Sequence, residues 1–333
     1  MNAGEKVVDW LYREQLHVDE QWSVRTERGF TWWADQNAQI VEVLGEDSGP
    51  DGRVGYLVGV RTELLYDLEL TETALAEIND GPMRFAALAG PVYDTATRTL
   101  SICSLARVND ETADWTGAVL GAAAVTQLAE AHMLGPALAE VLGGQAAVSG
   151  HPDSGVRTAP DDMLFAPRVF IQQGKAPCQW PAAEFGEAVN EFMRQPPAVK
   201  ASAAGQALTV EFPFGQKTSL CQMMGGQSHP LYGNGILLLQ RFPFTAPSPA
   251  KGVELALTLN AAELTGNVTG YGFGSYTYDR DMLCFAGFVP NSLHHQVALA
   301  NLYFAAAARA HAMSVWLLDE EWDDVGPVVS AVE

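Results

Sequence analysis

The sequence predicts an α+β fold written twice, as two tandem antiparallel sheets each packed against helices. Three observations carry this reading. The 333 residues give room for about two domains at roughly 150 residues each. The element order α-β-β-β-α-β-β-α runs twice along the chain, with one extra strand in each half. Matching landmarks recur at a nearly constant offset: Val54 and Gly235 at 181, Tyr93-Asp94 and Tyr278-Asp279 at 185, and the AEAH and ARAH segments (Ala129 and His132, Ala308 and His311) at 179. Small drifts with gaps in loops are what a duplicated domain produces. The expected division is a first repeat over 1–143, a partly packed linker over 144–181, a second repeat over 182–318 and an acidic tail over 319–333.

Each half opens on a short amphipathic helix, GEKVVDWLYREQ from Gly4 and AEFGEAVNEFMRQ from Ala183. Strand-like runs follow: WSVRT, GFTWWAD, AQIVEVL and VGYLVGV, then AVKASA, ALTVEFPF, TSLCQMM and GILLLQRF. Alternation in VGYLVGV predicts one buried and one more open face. The turn-rich loops GEDSGPDG and GGQSHPLYGNG stand at matching places. A second helix comes next, LTETALAEIND or KGVELALTLNAAELTG. Then comes a hairpin, AGPVYDTATRTLSICSLARV or GSYTYDRDMLCFAGFV. The Tyr-Asp pairs open these hairpins, since Asp favours turns.

The closing helices are Ala-rich. Trp115, Val119, Ala122, Val125 and Ala129 form an apolar stripe in the first, and Leu293, Val297, Ala300, Phe304 and Ala308 in the second. Asn109 or Asp110, and Asn291 or Ser292, stand where N-caps belong. Between the halves, MLFAPRVFIQ is too apolar to float free and predicts a strand. The tail from Asp319 predicts a loosely docked terminus.

Composition narrows function. With 19 Lys+Arg against 40 Asp+Glu the net charge is −21, and no basic cluster offers a nucleic-acid or anionic-membrane footprint. The hydrophobic share of 48% and mean hydropathy of +0.01 are those of a globular chain. The segment MNAGEKVVDWLYREQ is charged and amphipathic, without the basic and apolar regions of a signal peptide, and the lack of a clean apolar run of about 20 residues predicts no transmembrane helix. Cys103, Cys178, Cys221 and Cys284 stand singly, the pattern of reduced thiols in a cytoplasmic protein. No nucleophile elbow, phosphate loop or paired metal-ligand spacing occurs. The GYGFGS fragment falls in an apparent strand, and adjacent His294 and His295 diverge on a helix. The expectation is therefore no catalytic residue, no metal and no cofactor. His132 and His311 read either as equivalent polar helix positions or as a pair across a pseudo-twofold.

Aromatic pairs supply the binding candidates. Phe212 and Phe214, and Phe242 and Phe244, flank prolines that belong at a strand edge or end. Trp32 and Trp33 point to opposite faces of a strand, so one fills the core and the other reaches solvent or a partner. Met223 and Met224 add an adaptable surface. These eight residues either line a groove for a protein partner or pack inside the molecule.

The repeated element order, together with size and acidity over residues 4–143 and 182–318, resembles the type III secretion chaperone-like fold. Its members are small acidic chaperones that act as homodimers and wrap an extended client segment around strand edges and hydrophobic patches. The resemblance implies a non-catalytic cytoplasmic chaperone or adaptor for a secreted or regulatory protein client. The chain would be a monomer with pseudo-twofold symmetry, imitating the dimer internally, or a homodimer. The composition, rich in Ala, Gly and Trp and poor in Lys, resembles that of high-GC actinobacterial proteins. The duplication, the long linker and the extra strand depart from the family. The alternative reading is a small-molecule or enzymatic module with a pocket between the repeats, using His132, His311, Tyr93, Asp94, Tyr278 and Asp279.

Overall fold

A computed structural model describes residues 1–48, 54–167, 178–192, 200–266, 272–295 and 298–318. It is an α+β molecule with two antiparallel sheets. The chain divides into two compact units: Met1–Glu77, Leu88–Val169 and Asn260–Val268, then Ile78–Ala87, Phe170–Leu259 and Thr269–Glu333. The expected domains are continuous stretches and these units are not. Most of the expected linker belongs to the first unit, and the C-terminal turns of each middle helix group with the opposite unit.

In the first unit the strands are β1 (Ser23–Arg25), β2 (Gly29–Trp32), β3 (Gln39–Ser48), β4 (Val54–Tyr66), β5 (Gly90–Asp94) and β6 (Thr99–Val108). They lie in the order β1-β2-β3-β4-β6-β5, and β7 (Gln145–Ala146) pairs with the end of β4. The helix α1 (Ala3–Trp10) begins at a capping box between Asn2 and Glu5, which satisfies two of the amides a helix start leaves open. It runs into a π-helical turn over Leu11–Gln15. The helix α2 (Glu72–Arg84) precedes β5, and α3 (Ala113–Leu142) closes the half. Asn109 accepts from the amides of Glu111 and Thr112 just before α3, so it shapes the entry turn and Thr112 takes the cap position. The expected stripe from Trp115 to Ala129 is buried.

A polar ladder crosses that buried layer. Gln39 donates to the Thr62 hydroxyl and to the Ala124 carbonyl. Thr62 donates to Gln127, which donates to Ser104, and Ser104 to the Leu88 carbonyl. Buried polar groups tied this way fix helix against sheet in one register.

In the second unit β8 (Lys200–Ala204), β9 (Ala207–Phe214), β10 (Lys217–His229), β11 (Gly233–Phe242), β12 (Ser275–Asp279) and β13 (Met282–Pro290) take the order β12-β13-β11-β10-β9-β8. Read from the other side, this is the strand order of the first sheet. The helices are α4 (Ala182–Phe192), α5 (Pro249–Thr265) and α6 (Ala298–Leu318). Both hairpin turns follow the Tyr-Asp pairs: Asp94 accepts from the Ala96 amide, and Arg280 and Asp281 take the positive φ of a type I′ turn.

The α6 stripe differs from expectation. Phe304 and Ala308 face outward, and Val297 lies outside the described residues. The sheet is met instead by Leu299, Leu302, Tyr303, Ala306, Ala310, Met313 and Leu317. Alanine on every side makes several faces of this helix apolar, and the larger side chains select the buried one. Arg309 is buried with them, its guanidinium 3.5 Å from the centre of the Phe285 ring. The strand expected over MLFAPRVFIQ is a 3-10 turn at Asp162–Phe165. Residues 168–172 of that run and the 319–333 tail lie outside the described residues.

Most of the aromatic binding candidates are core. Trp32, Phe212, Phe214, Met223 and Phe242 are buried because strand alternation turns them under the helices. Trp33, past the end of β2 and expected to reach solvent or a partner if Trp32 filled the core, is buried as well, against Ser149 and His151. Phe212 meets Tyr303 at 5.5 Å, and Phe214 meets Phe242 at 6.2 Å between ring centroids. Met224 and Phe244 are half-buried, and Phe244 lies past the end of β11.

Candidate functional site

Two surfaces stand out. The first is the sheet face of the second unit turned away from α4 and α6. Register places Ala207, Thr209 and Glu211 of β9 beside Leu220, Gln222 and Met224 of β10, and these beside Leu237, Leu239 and Arg241 of β11. Leu239 joins a buried cluster with Ala86, Ala87 and Phe288, while the other eight are half-buried. Arg241 donates to Gln222 at 3.3 Å, and no other residue of this face is charged except Glu211. Among the described residues no strand pairs with the outer side of β8, whose end, Ala203 and Ala204, is exposed. A mixed apolar face beside an open edge of small residues suits an extended peptide, which gains ladder hydrogen bonds at the edge and side-chain contacts on the face.

The second is a cleft of about 200 Å³ in the first unit. Helix α3 ends at Gly143 and Gly144, both at positive φ. A Cβ on Gly144 would stand 2.7 Å from the Tyr66 carbonyl oxygen, so only glycine lets the chain turn back there. The returning segment pairs as β7 with the end of β4. Ala147 then donates to the Leu64 carbonyl and Ser149 to that of Gln36. This closes a wall opposite α3, and the cleft lies between them, with Asp35, Asn37, Glu63 and His132 in its lining.

The far wall is pinned by groups outside the cleft. Trp33 Nε1 donates to Ser149 Oγ at 3.1 Å, and the His151 ring stands edge-on to Trp33 at 5.2 Å. Arg157 donates to the Trp33 and Ala159 carbonyls and to Asp161. Trp33 thus serves as a support for this wall.

Inside the cleft, His132 Nδ1 lies 2.6 Å from Asp35 Oδ2. The Tyr66 hydroxyl donates to Glu63 Oε2; burial and the neighbouring Glu63 carboxylate push its pKa above that of an ordinary phenol. Asn37, 5% exposed, donates to the Glu63 carbonyl. The chemistry on offer is acceptor-rich: two carboxylates, an amide oxygen and a histidine hydrogen-bonded to Asp35.

Of the sequence-predicted polar residues, only His132 reaches this site. His311 is exposed on α6 and accepts from Ser314 through its carbonyl. Tyr93 donates to the Leu68 carbonyl, and Tyr278 accepts from the Ala246 amide. His294 contacts Glu184 at 3.2 Å. Among the described residues no trio of His, Cys, Asp and Glu is placed to hold a metal, and no helix is long and apolar enough to cross a membrane. Asp35, Asn37 and Glu63 carry no local signal in the sequence. The doubled glycine after α3 is the one mark of the turn that encloses them. No family model, curated protein or solved structure matches the chain.

Proposed function

We propose that the protein is a non-catalytic chaperone or adaptor that holds an extended segment of another protein. The observation that carries this reading is the face of the second sheet turned away from α4 and α6: the end of α2 packs at Leu237 and Leu239, and Leu220, Gln222 and Met224 remain half-buried towards the open β8 edge. Such a face is too apolar to be a solvated surface alone and too mixed to be a core. The type III secretion chaperone-like resemblance points the same way, since those proteins hold extended clients on sheet edges and apolar patches. A net charge of −21 favours client segments that carry Lys and Arg, by speeding encounter more than by tightening the complex.

The test places a photo-crosslinking side chain at Gln222, in the centre of the face, and another at Lys217, at the hairpin end. A discrete partner captured from Gln222 and not from Lys217 supports the reading. Leu237→Asp should abolish that capture with the far-ultraviolet circular dichroism unchanged. Equal capture from both positions, or capture that survives Leu237→Asp, defeats it.

A further inference from the structure

We propose that the cleft of the first unit is a binding site for a small aliphatic ammonium compound, independent of the client face on the second sheet. Its polar lining is one-sided. Asp35 and Glu63 each engage one carboxylate oxygen, with His132 and Tyr66 respectively, and each keeps a second oxygen clear of that partner. No Lys or Arg lines the cleft, and His132 beside Asp35 is the one basic side chain in its lining. Asn37 is an independent sign of a missing donor. Its side chain is more than nine-tenths buried and lines the cleft, and its Nδ2 is spent on the Glu63 carbonyl, while Oδ1 has no protein donor among the described residues. This oxygen is reached from the cleft and is open to a donor that enters it.

Helix α3 adds one more acceptor to this wall. Pro136 has no amide hydrogen, so the His132 carbonyl lacks its helical donor. Each group that wants a partner is thus an acceptor, and the ligand must be rich in N–H donors and positively charged. The rest of the lining, Leu64, Ala131, Pro136, Ala147 and Val148, is aliphatic, which selects a short hydrocarbon stem behind the ammonium head. A divalent metal fits less well, because Tyr66 and His132 already occupy one oxygen of each carboxylate. In the second unit the residue corresponding to His132 is His311, exposed on α6 as His132 is on α3, but with no carboxylate bonded to its ring among the described residues.

The test titrates the full chain with n-butylammonium, and with n-butanol and butyrate as neutral and anionic controls of the same shape, followed by calorimetry or by the ring resonances of His132. The expected result is saturable binding of the ammonium at least tenfold tighter than of either control, weakened by added salt. Asp35→Asn and Glu63→Gln should each weaken it at least tenfold. Gly135→Leu provides a variant that leaves the carboxylates untouched. A Cβ at Gly135 meets only Leu64, at 3.7 Å and beyond, and leucine favours the helix, so this side chain fills the cleft and should abolish binding with the fold intact. Equal binding of butanol, or binding unaffected by Gly135→Leu, overturns the proposal. Client capture at Gln222 is unaffected by any of these variants, so the two readings fail separately.

Discussion

At the scale of single residues, the most consequential group outside the cleft is His229. It is 6% exposed, stacked on Tyr232 at 4.3 Å and tilted against Phe288 at 4.9 Å. The Leu231 amide donates to Nδ1, which fixes the neutral ring with its proton on Nε2. Burial pushes its pKa down from 6.5 to about 4, against a smaller opposing effect of the Ala86 backbone. The unfolded chain therefore binds a proton below pH 6.5 that the folded chain refuses until about pH 4. The stability held above pH 6.5 is lost progressively over that window, by about 3 kcal/mol. Denaturant unfolding at pH 7 and pH 4 should show His229→Phe losing less stability on acidification than the parent, by about that amount. An identical acid sensitivity in both proteins would mean that the ring is solvated when folded. None of this is visible in the sequence, where His229 sits in a turn-rich loop; its burial depends on Phe288, a strand away. The same limit applies to the cleft. His132 is legible as a repeated helix position, but its partner Asp35 lies 97 residues earlier and nothing local links the two.

At the scale of elements, strands and helices are largely legible because alternation and turn chemistry act locally, whereas the faces of Ala-rich helices are not. The ends of α2 show what local patterns miss. Asn79 donates from Nδ2 to the Tyr278 carbonyl at 2.9 Å and accepts from the Tyr278 amide at 2.7 Å. Thr277 donates to both the carbonyl and the side chain of Asn79. Tyr278 lies on β12, the edge strand of the second sheet, and this one amide side chain takes both backbone groups that an additional strand would use. Asn260 stands 181 residues later in α5, at 1% exposure, at the offset that relates Val54 to Gly235, so the signal was present in the repeat. Asn79→Ala leaves a buried amide and carbonyl without partners and should destabilise the protein by about 3 kcal/mol in denaturant unfolding. It also uncovers the β12 edge, so light scattering should detect association that the parent does not show. A variant that is as stable and as monodisperse as the parent would remove Asn79 from this role.

At the scale of the whole molecule, two sheets with one strand order are what the repeated pattern predicts, but the compact units do not follow the two halves of the chain. The first unit draws in Asn260–Val268 from the second half. There Leu264, with Ala261 against it, packs on Val92 and Cys103. Sequence order hides this, because contiguous segmentation assumes that each half supplies its own cover. The consequence can be read at a thiol. Cys103 is 1% exposed, and burial pushes its pKa up to about 12, so at pH 8 it is almost wholly a protonated, shielded thiol and unreactive. A fragment ending at residue 166 retains every strand of the first sheet and lacks Leu264 and Ala261. In it Cys103 is the only cysteine, and its uncovered thiol should react with a disulfide reagent at least tenfold faster than the Cys103 peptide quantified by mass spectrometry from the full chain. Leu264→Ala in the full chain should accelerate the reaction by a smaller factor, because Ala261 and the rest of the helix remain in place. The fragment could also expose Cys103 by unfolding altogether, and the point variant separates the two cases: its retained circular dichroism together with faster labelling assigns the protection to α5. If Leu264→Ala labels no faster than the parent, the cover over Cys103 comes from the first half alone, and the two halves are then as separable as their sequences read.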